Sequence, residues 1–114
     1  WQPTYTFDLA LNSMILLENN ESGFYSMSSL NSASFYQLAV KITEYLGIDS
    51  LISVKEVSSQ QFDKAEAAKR PHDAILSNEK LDRKGMNSQR NWEESLLEYL
   101  DDDYYKNMIK DMEI

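Results

Sequence analysis

The chain has 114 residues, 42% hydrophobic and 26% charged, the balance of a globular protein rather than a disordered one. A net charge of −8 argues against nucleic acid, which needs clustered Lys and Arg, and the lack of cysteine excludes disulfides and thiolate metal sites. No apolar run nears the roughly 18 residues of a membrane span and no secretory leader is visible, so the expected compartment is the cytoplasm. The sequence opens Trp1-Gln2-Pro3 without an initiator methionine and enters patterned sequence at once, which reads as a piece of a longer protein.

Thr4 to Asn19 predicts a first helix, with Thr6 as N-cap, Asp8 in the first turn, and Phe7, Leu11, Met14, Ile15 and Leu17 on its apolar side. Asn19 to Gly23 is a turn-rich break. Phe24 to Ser28 alternates large and small like a short strand, and Ser29 to Ser32 is a polar loop with Asn31 as a turn residue. The clearest helix follows. Phe35, Leu38, Ala39, Ile42, Tyr45 and Leu46 share one face, Ser32 or Ser34 can cap the start, and Gly47 can end it in the left-handed conformation.

Leu51 to Val57 is β-branched and predicts a second strand with Ile52, Val54 and Val57 inward. Gln60 to Lys69 is a polar helix or turn, and Arg70-Pro71 breaks it. Ala74 to Leu76 reads as an extended apolar link, and Ser77 can cap a brief helix, Asn78 to Lys84, that Gly85 ends. Asn91-Trp92-Glu93-Glu94 resembles a capping box opening a helix with Trp92, Leu96, Leu97 and Leu100 on one face. Asp101 to Asp103 interrupts it, and Tyr104 to Ile114 resumes a weaker helical pattern. Helical segments with two or three short strands predict an α+β class. Three parts follow: 1–22 as a junction helix, 23–100 as the main domain, and 101–114 as an acidic helix or tail.

Absences narrow the chemistry. Three glycines cannot build a phosphate loop, no Tyr-x-x-x-Lys pair exists, and His72 is the only histidine. No catalytic residue and no metal site are expected. The locally basic patch of Lys64, Lys69, Arg70 and His72 suits one or two phosphates. Within it, the Arg70 guanidinium can fork onto phosphate oxygens while Asp73 accepts from a ribose hydroxyl. The same residues also fit a surface arginine at a turn that Asp73 caps. Tyr25 and Tyr36 can stack on a base or sugar, or belong to the core. Asp101 to Asp103 fits a solvated face as well as a cation.

Together these motifs resemble the dTDP-4-dehydrorhamnose reductase family of extended short-chain dehydrogenases/reductases. Gln2-Pro-Thr-Tyr-Thr-Phe-Asp8-Leu-Ala10 is similar to its QPTYTxDLA segment. Gly23-Phe-Tyr25 with Ser34-Phe-Tyr36-Gln-Leu-Ala39 is similar to GxYH…SWYEFA. Arg70-Pro71-His-Asp73-Ala-Ile-Leu76, with Lys80-Leu81 and Gly85, is similar to RPxNSxL…KL…G, and Trp92-Glu-Glu-Ser-Leu96 to W-x-E-x-L. The resemblance implies the C-terminal substrate-binding part of such an enzyme, its partner being an N-terminal Rossmann half that binds NADPH (or NADH) and supplies the catalytic Tyr and Lys. It implies that Arg70, Asp73, Tyr36 and Ser34 touch a sugar nucleotide such as dTDP-4-dehydrorhamnose, and it leaves a homodimer open. Ser26 and Ala74 depart from the family's His and Ser. The Arg-Pro-x-x-Ala-x-Leu form is also similar to the methionine adenosyltransferase beta subunit, which implies the alternative of a non-catalytic regulatory subunit.

Overall fold

The computed structural model describes residues 1–58 and 74–111. Among them are five helices: α1 Thr6–Glu18, α2 Phe35–Leu46, α3 Glu79–Arg83, α4 Trp92–Leu100 and α5 Asp103–Asp111. The predicted polar helix at Gln60–Lys69 lies outside the described residues.

α2 forms as its sequence dictates. Ser34 Oγ accepts from the Gln37 N–H at 3.0 Å, and the Gln37 side chain accepts from the Ser34 N–H at 2.9 Å, a closed capping box. Gly47 ends the helix at φ +70°. α4 is capped by Asn91 Oδ1, which accepts from the Glu93 N–H at 3.1 Å, a single cap in place of the predicted reciprocal box. It buries Trp92, Ser95 and Leu100 and packs against α2. The N-cap of α3 is Asn78, without a side-chain cap bond, and the expected cap Ser77 lies one residue before it, its Oγ accepting from the Glu79 N–H at 3.2 Å; Asn31 sits in the left-handed region at φ 65°, as expected of a turn residue.

α1 differs from expectation. Its N-cap is Tyr5, with no side-chain cap bond, so Thr6 is already helical. The face turned into this unit is also the polar one. Asp8 and Asn12 are fully buried, while Phe7, Leu11, Met14 and Leu17 are 46–69% exposed. Helical spacing groups apolar residues on one side but does not say which side meets these neighbours.

The reason is a set of polar ties from the strand-less segment before α4. Arg90 Nε and Nη2 donate to Asp8 Oδ1 at 3.0 and 2.8 Å, and Ser95 Oγ donates to Asp8 Oδ2 at 2.6 Å. Arg90 also forks onto both Glu98 oxygens, at 3.2 and 2.7 Å. That guanidinium holds the Glu98 carboxyl below its usual range, and the same bonds, with Glu98 foremost, raise Arg90 further above its own. Asn12 donates to Met86 O at 2.9 Å and accepts from the Ser88 N–H at 3.2 Å. Gln89 adds a 3.1 Å bond to Asn12.

Neither predicted strand pairs into a ladder among the described residues, where an isolated parallel bridge, Leu30 to Asn91, joins the two halves of the unit. At Ser28 a side chain takes a neighbouring strand's place. Its N–H donates to Asn78 Oδ1 at 3.0 Å and its carbonyl accepts from Asn78 Nδ2 at 2.7 Å. In 51–57, Ile52 and Val57 point to solvent and only Val54 is half-buried. The apolar core comprises Ala33, Ile48, Leu81, Trp92 and Leu100.

Candidate functional site

The amino-terminal segment, the chain at Met27-Ser28 and the chain at Ala74–Leu76 enclose a cleft of about 530 Å³. Its shape rests on Gln2, whose carboxamide pairs with the backbone of Leu76. Gln2 Oε1 accepts from the Leu76 N–H at 2.6 Å, and Nε2 donates to Leu76 O at 3.2 Å. Nε2 also lies 3.3 Å from Ser29 O. Thr4 Oγ1 donates to Gln2 O and accepts from the Ser29 N–H at 3.1 Å. Gln2 and Asn78 thus act as peptide groups supplied by side chains: each gives one donor and one acceptor to a single extended residue.

At the other end, Trp1 stacks on Phe35 with centroids 4.4 Å apart, and Trp1 O accepts from the Ala33 N–H at 2.8 Å. This fixes an aromatic pair where α2 begins. Every described lining residue is uncharged: Trp1, Gln2, Thr4, Met27, Ser28, Ala74, Ile75 and Leu76. Such a wall offers an aromatic ring and apolar surface, which suit a sugar or base, but no counter-charge for a phosphate; the polar groups of Gln2, Thr4 and Ser28 are bonded within the wall itself.

Arg70 and Asp73, with His72, Lys64 and Lys69, lie outside the described residues; in sequence they immediately precede Ala74, which lines the cleft. Ser34 is at the start of α2, where its hydroxyl oxygen is committed to the cap. Tyr36 is half-buried one residue past Phe35, and neither it nor Ser34 lines the cleft. Tyr25 is half-buried and does not line the cleft. Lys80 Nζ sits 4.1 Å from its ring centroid, and its hydroxyl donates to Glu21 at 2.7 Å. Trp1, Gln2, Thr4 and Ser28 were not singled out from sequence as site residues. The Gln2-Pro-Thr-Tyr unit carried the signal, since a polar residue with two-sided hydrogen bonding before a proline is suited to hooking a distant chain.

Residues 1–105 fit the profile of the RmlD substrate binding domain, and the chain belongs to that family, the one its motifs resemble. It is similar to the spore coat polysaccharide biosynthesis protein SpsK of Bacillus subtilis (strain 168), 32% identical over 98 residues, which are 86% of this chain and 32% of that protein. The chain therefore spans about a third of the length of that curated relative. No solved structure matches it. No described helix is long and apolar enough to cross a membrane, and no described His, Cys, Asp and Glu residues group as metal ligands.

Proposed function

We propose that this domain holds a sugar nucleotide, of the class of dTDP-4-dehydrorhamnose, for an NADPH-dependent reductase of deoxysugar and polysaccharide biosynthesis. The observation that carries this reading is the neutral, aromatic-ended cleft into whose wall, at Ala74, Arg70-Pro-His-Asp73 leads directly. The cleft supplies stacking on Trp1 and apolar walls at Met27, Ile75 and Leu76, its shape held by Gln2, Thr4 and Ser28. Arg70 supplies the charge for the diphosphate and Asp73 an acceptor for a ribose hydroxyl.

The residues present do not fit the dinucleotide itself. Gly47 and Gly85 follow helices rather than opening them, and Gly23 meets Lys80 Nζ at 3.5 Å from an added Cβ. The reading therefore places NADPH and the proton-handling Tyr and Lys in a further, nucleotide-binding part of a longer protein. That part covers the exposed Phe7, Leu11, Met14 and Leu17 of α1 and completes the α+β architecture expected from sequence.

Titration of the full-length protein with dTDP, followed by tryptophan fluorescence, tests this. Trp1 borders the cleft and reports binding, whereas Trp92 is buried. Saturable quenching is expected, and Arg70→Ala should weaken it by about ten- to a hundredfold, as loss of a charged hydrogen bond worth about 1.5–3 kcal/mol requires. Unchanged affinity in Arg70→Ala would sink the assignment.

A further inference from the structure

A second cleft, of about 670 Å³, opens where the start of α1 meets the end of α4 and the start of α5. None of its lining is shared with the cleft at Trp1. Its walls are the rings of Tyr5, Phe7, Tyr99, Tyr104 and Tyr105, and they touch in series. Tyr5 lies 5.8 Å from Phe7 and 5.9 Å from Tyr99, Tyr99 lies 5.0 Å from Tyr105, and Tyr105 lies 5.2 Å edge-on from Tyr104. Phe7, Tyr99 and Tyr104 remain 51%, 45% and 67% exposed.

Two carboxylates complete the wall, Glu98 and Asp102, with Asp103 next in the chain. Glu98 is taken by Arg90, and Lys106 pairs with Asp101 at 2.8 Å. Among the described residues no cation pairs with Asp102 or Asp103. Asp102 uses Oδ1 to accept from the Tyr104 N–H at 2.8 Å.

The same chain shows what this combination of groups does when filled. Around Tyr25, Lys80 Nζ sits over the ring at 4.1 Å, and Lys84 pairs at 2.7 Å with Glu21, which also accepts from the Tyr25 hydroxyl. Aromatic face, carboxylate and cation close on one another there. At the second cleft Arg90 takes Glu98, while the aromatic faces and Asp102 are present without a cation. Ring quadrupoles and carboxylates both favour positive charge, and they repel an anionic nucleotide.

We propose that this cleft is a docking site for an arginine side chain of a protein partner, its guanidinium stacked on the tyrosine rings and forked toward Asp102. Arginine suits it better than lysine, because a planar, weakly hydrated guanidinium both stacks on aromatic rings and binds a carboxylate through two parallel bonds. The site uses none of the residues assigned to the sugar nucleotide, and Phe7, which the proposed further part covers, is not among the tyrosine rings that take the guanidinium.

The test is NMR of the tyrosine ring resonances of the full-length protein during titration with acetyl-Gly-Arg-Gly-amide. The matching citrulline peptide, of like shape without charge, and neutral rhamnose serve as comparisons. Saturable shifts confined to the Tyr5, Tyr99, Tyr104 and Tyr105 rings are expected. Citrulline and Asp102→Asn should each weaken binding about two- to fivefold, the size of one exposed cation–π or ionic contact. Asparagine keeps the Oδ1 acceptor for the Tyr104 N–H, so the variant removes charge without uncapping α5. No saturable shift, equal binding of the citrulline peptide, or preference for rhamnose would overturn the proposal. So would shifts that depend on protein concentration and resist the peptide, since a second copy would then occupy the cleft.

Discussion

Asp8 is 2% exposed, and its charge is compensated by the Arg90 fork and the Ser95 hydroxyl. Removing it leaves a half-buried guanidinium with only Glu98. Asp8→Ala should therefore destabilise the fold by about 3 kcal/mol, the scale for breaking a buried pair. A urea midpoint that stays in place would refute this. Part of the pH response follows from Glu98, beside Glu21 and Asp101, whose carboxyls Lys84 and Lys106 hold down in the same direction. Arg90 depresses the folded-state pKa of Glu98 below the ordinary 4.5, so its contribution is complete above the unfolded value and is lost as pH falls through the folded one. Arg90 is shifted upward, so nothing is lost from it at any mildly alkaline pH. Stability should thus fall on the acid side below pH about 4.5, and Glu98→Gln should flatten that limb in part; an unchanged acid limb in this variant would exclude the pair as a source of it.

At the scale of elements, α2 is the helix that local chemistry alone defines. Ser34→Ala opens the capping box and should cost about 1 kcal/mol. Gly47→Ala meets no atom within 4 Å but must hold φ +70°, for a similar cost of about 1 kcal/mol. Thermal unfolding of the two variants checks both, and an effect confined to one would mean the helix is anchored at the other end. These features were legible in the sequence because partner and residue lie within four positions of each other. The ties that set the rest were not. Asn78 reaches Ser28 across 50 residues, Asn12 reaches Met86 across 74, and Gln2 reaches Leu76 across 74. Nothing in an isolated Asn or Gln tells which distant backbone it will pair with. The Phe24–Ser28 stretch pairs with no strand among the described residues, and at Ser28 a side-chain amide occupies the edge where a neighbouring strand was expected. Likewise, the apolar stripe of α1 was visible and its direction was not. Asp8 and Asn12 hold the opposite side inward, through partners more than 70 residues away.

For the whole molecule, the consequence of that stripe is association. An exposed row of Phe7, Leu11, Met14 and Leu17 is the surface that a further folded part covers in the proposed function. The 114-residue chain by itself should show concentration-dependent self-association in sedimentation. Leu11→Lys with Met14→Lys should abolish it without lowering the unfolding midpoint, because both side chains are already in water. A chain that stays monomeric at high concentration would show that the row is not a mating surface. The Gln2 clasp on Leu76 has a different kind of consequence. It fastens the far end of the stretch that leaves α2 at Gly47, so both ends of that stretch are set by the scaffold rather than by its own sequence. Closing a chain between fixed ends grows costlier only with the logarithm of its length, about 0.6 kcal/mol per doubling. Beyond the core residue Ile48, a change in the length of that stretch should therefore cost the fold little in closure. In the proposed function that stretch contains Arg70 and Asp73, so descendants of one ancestral domain could exchange one sugar for another there while every helix stays where it was.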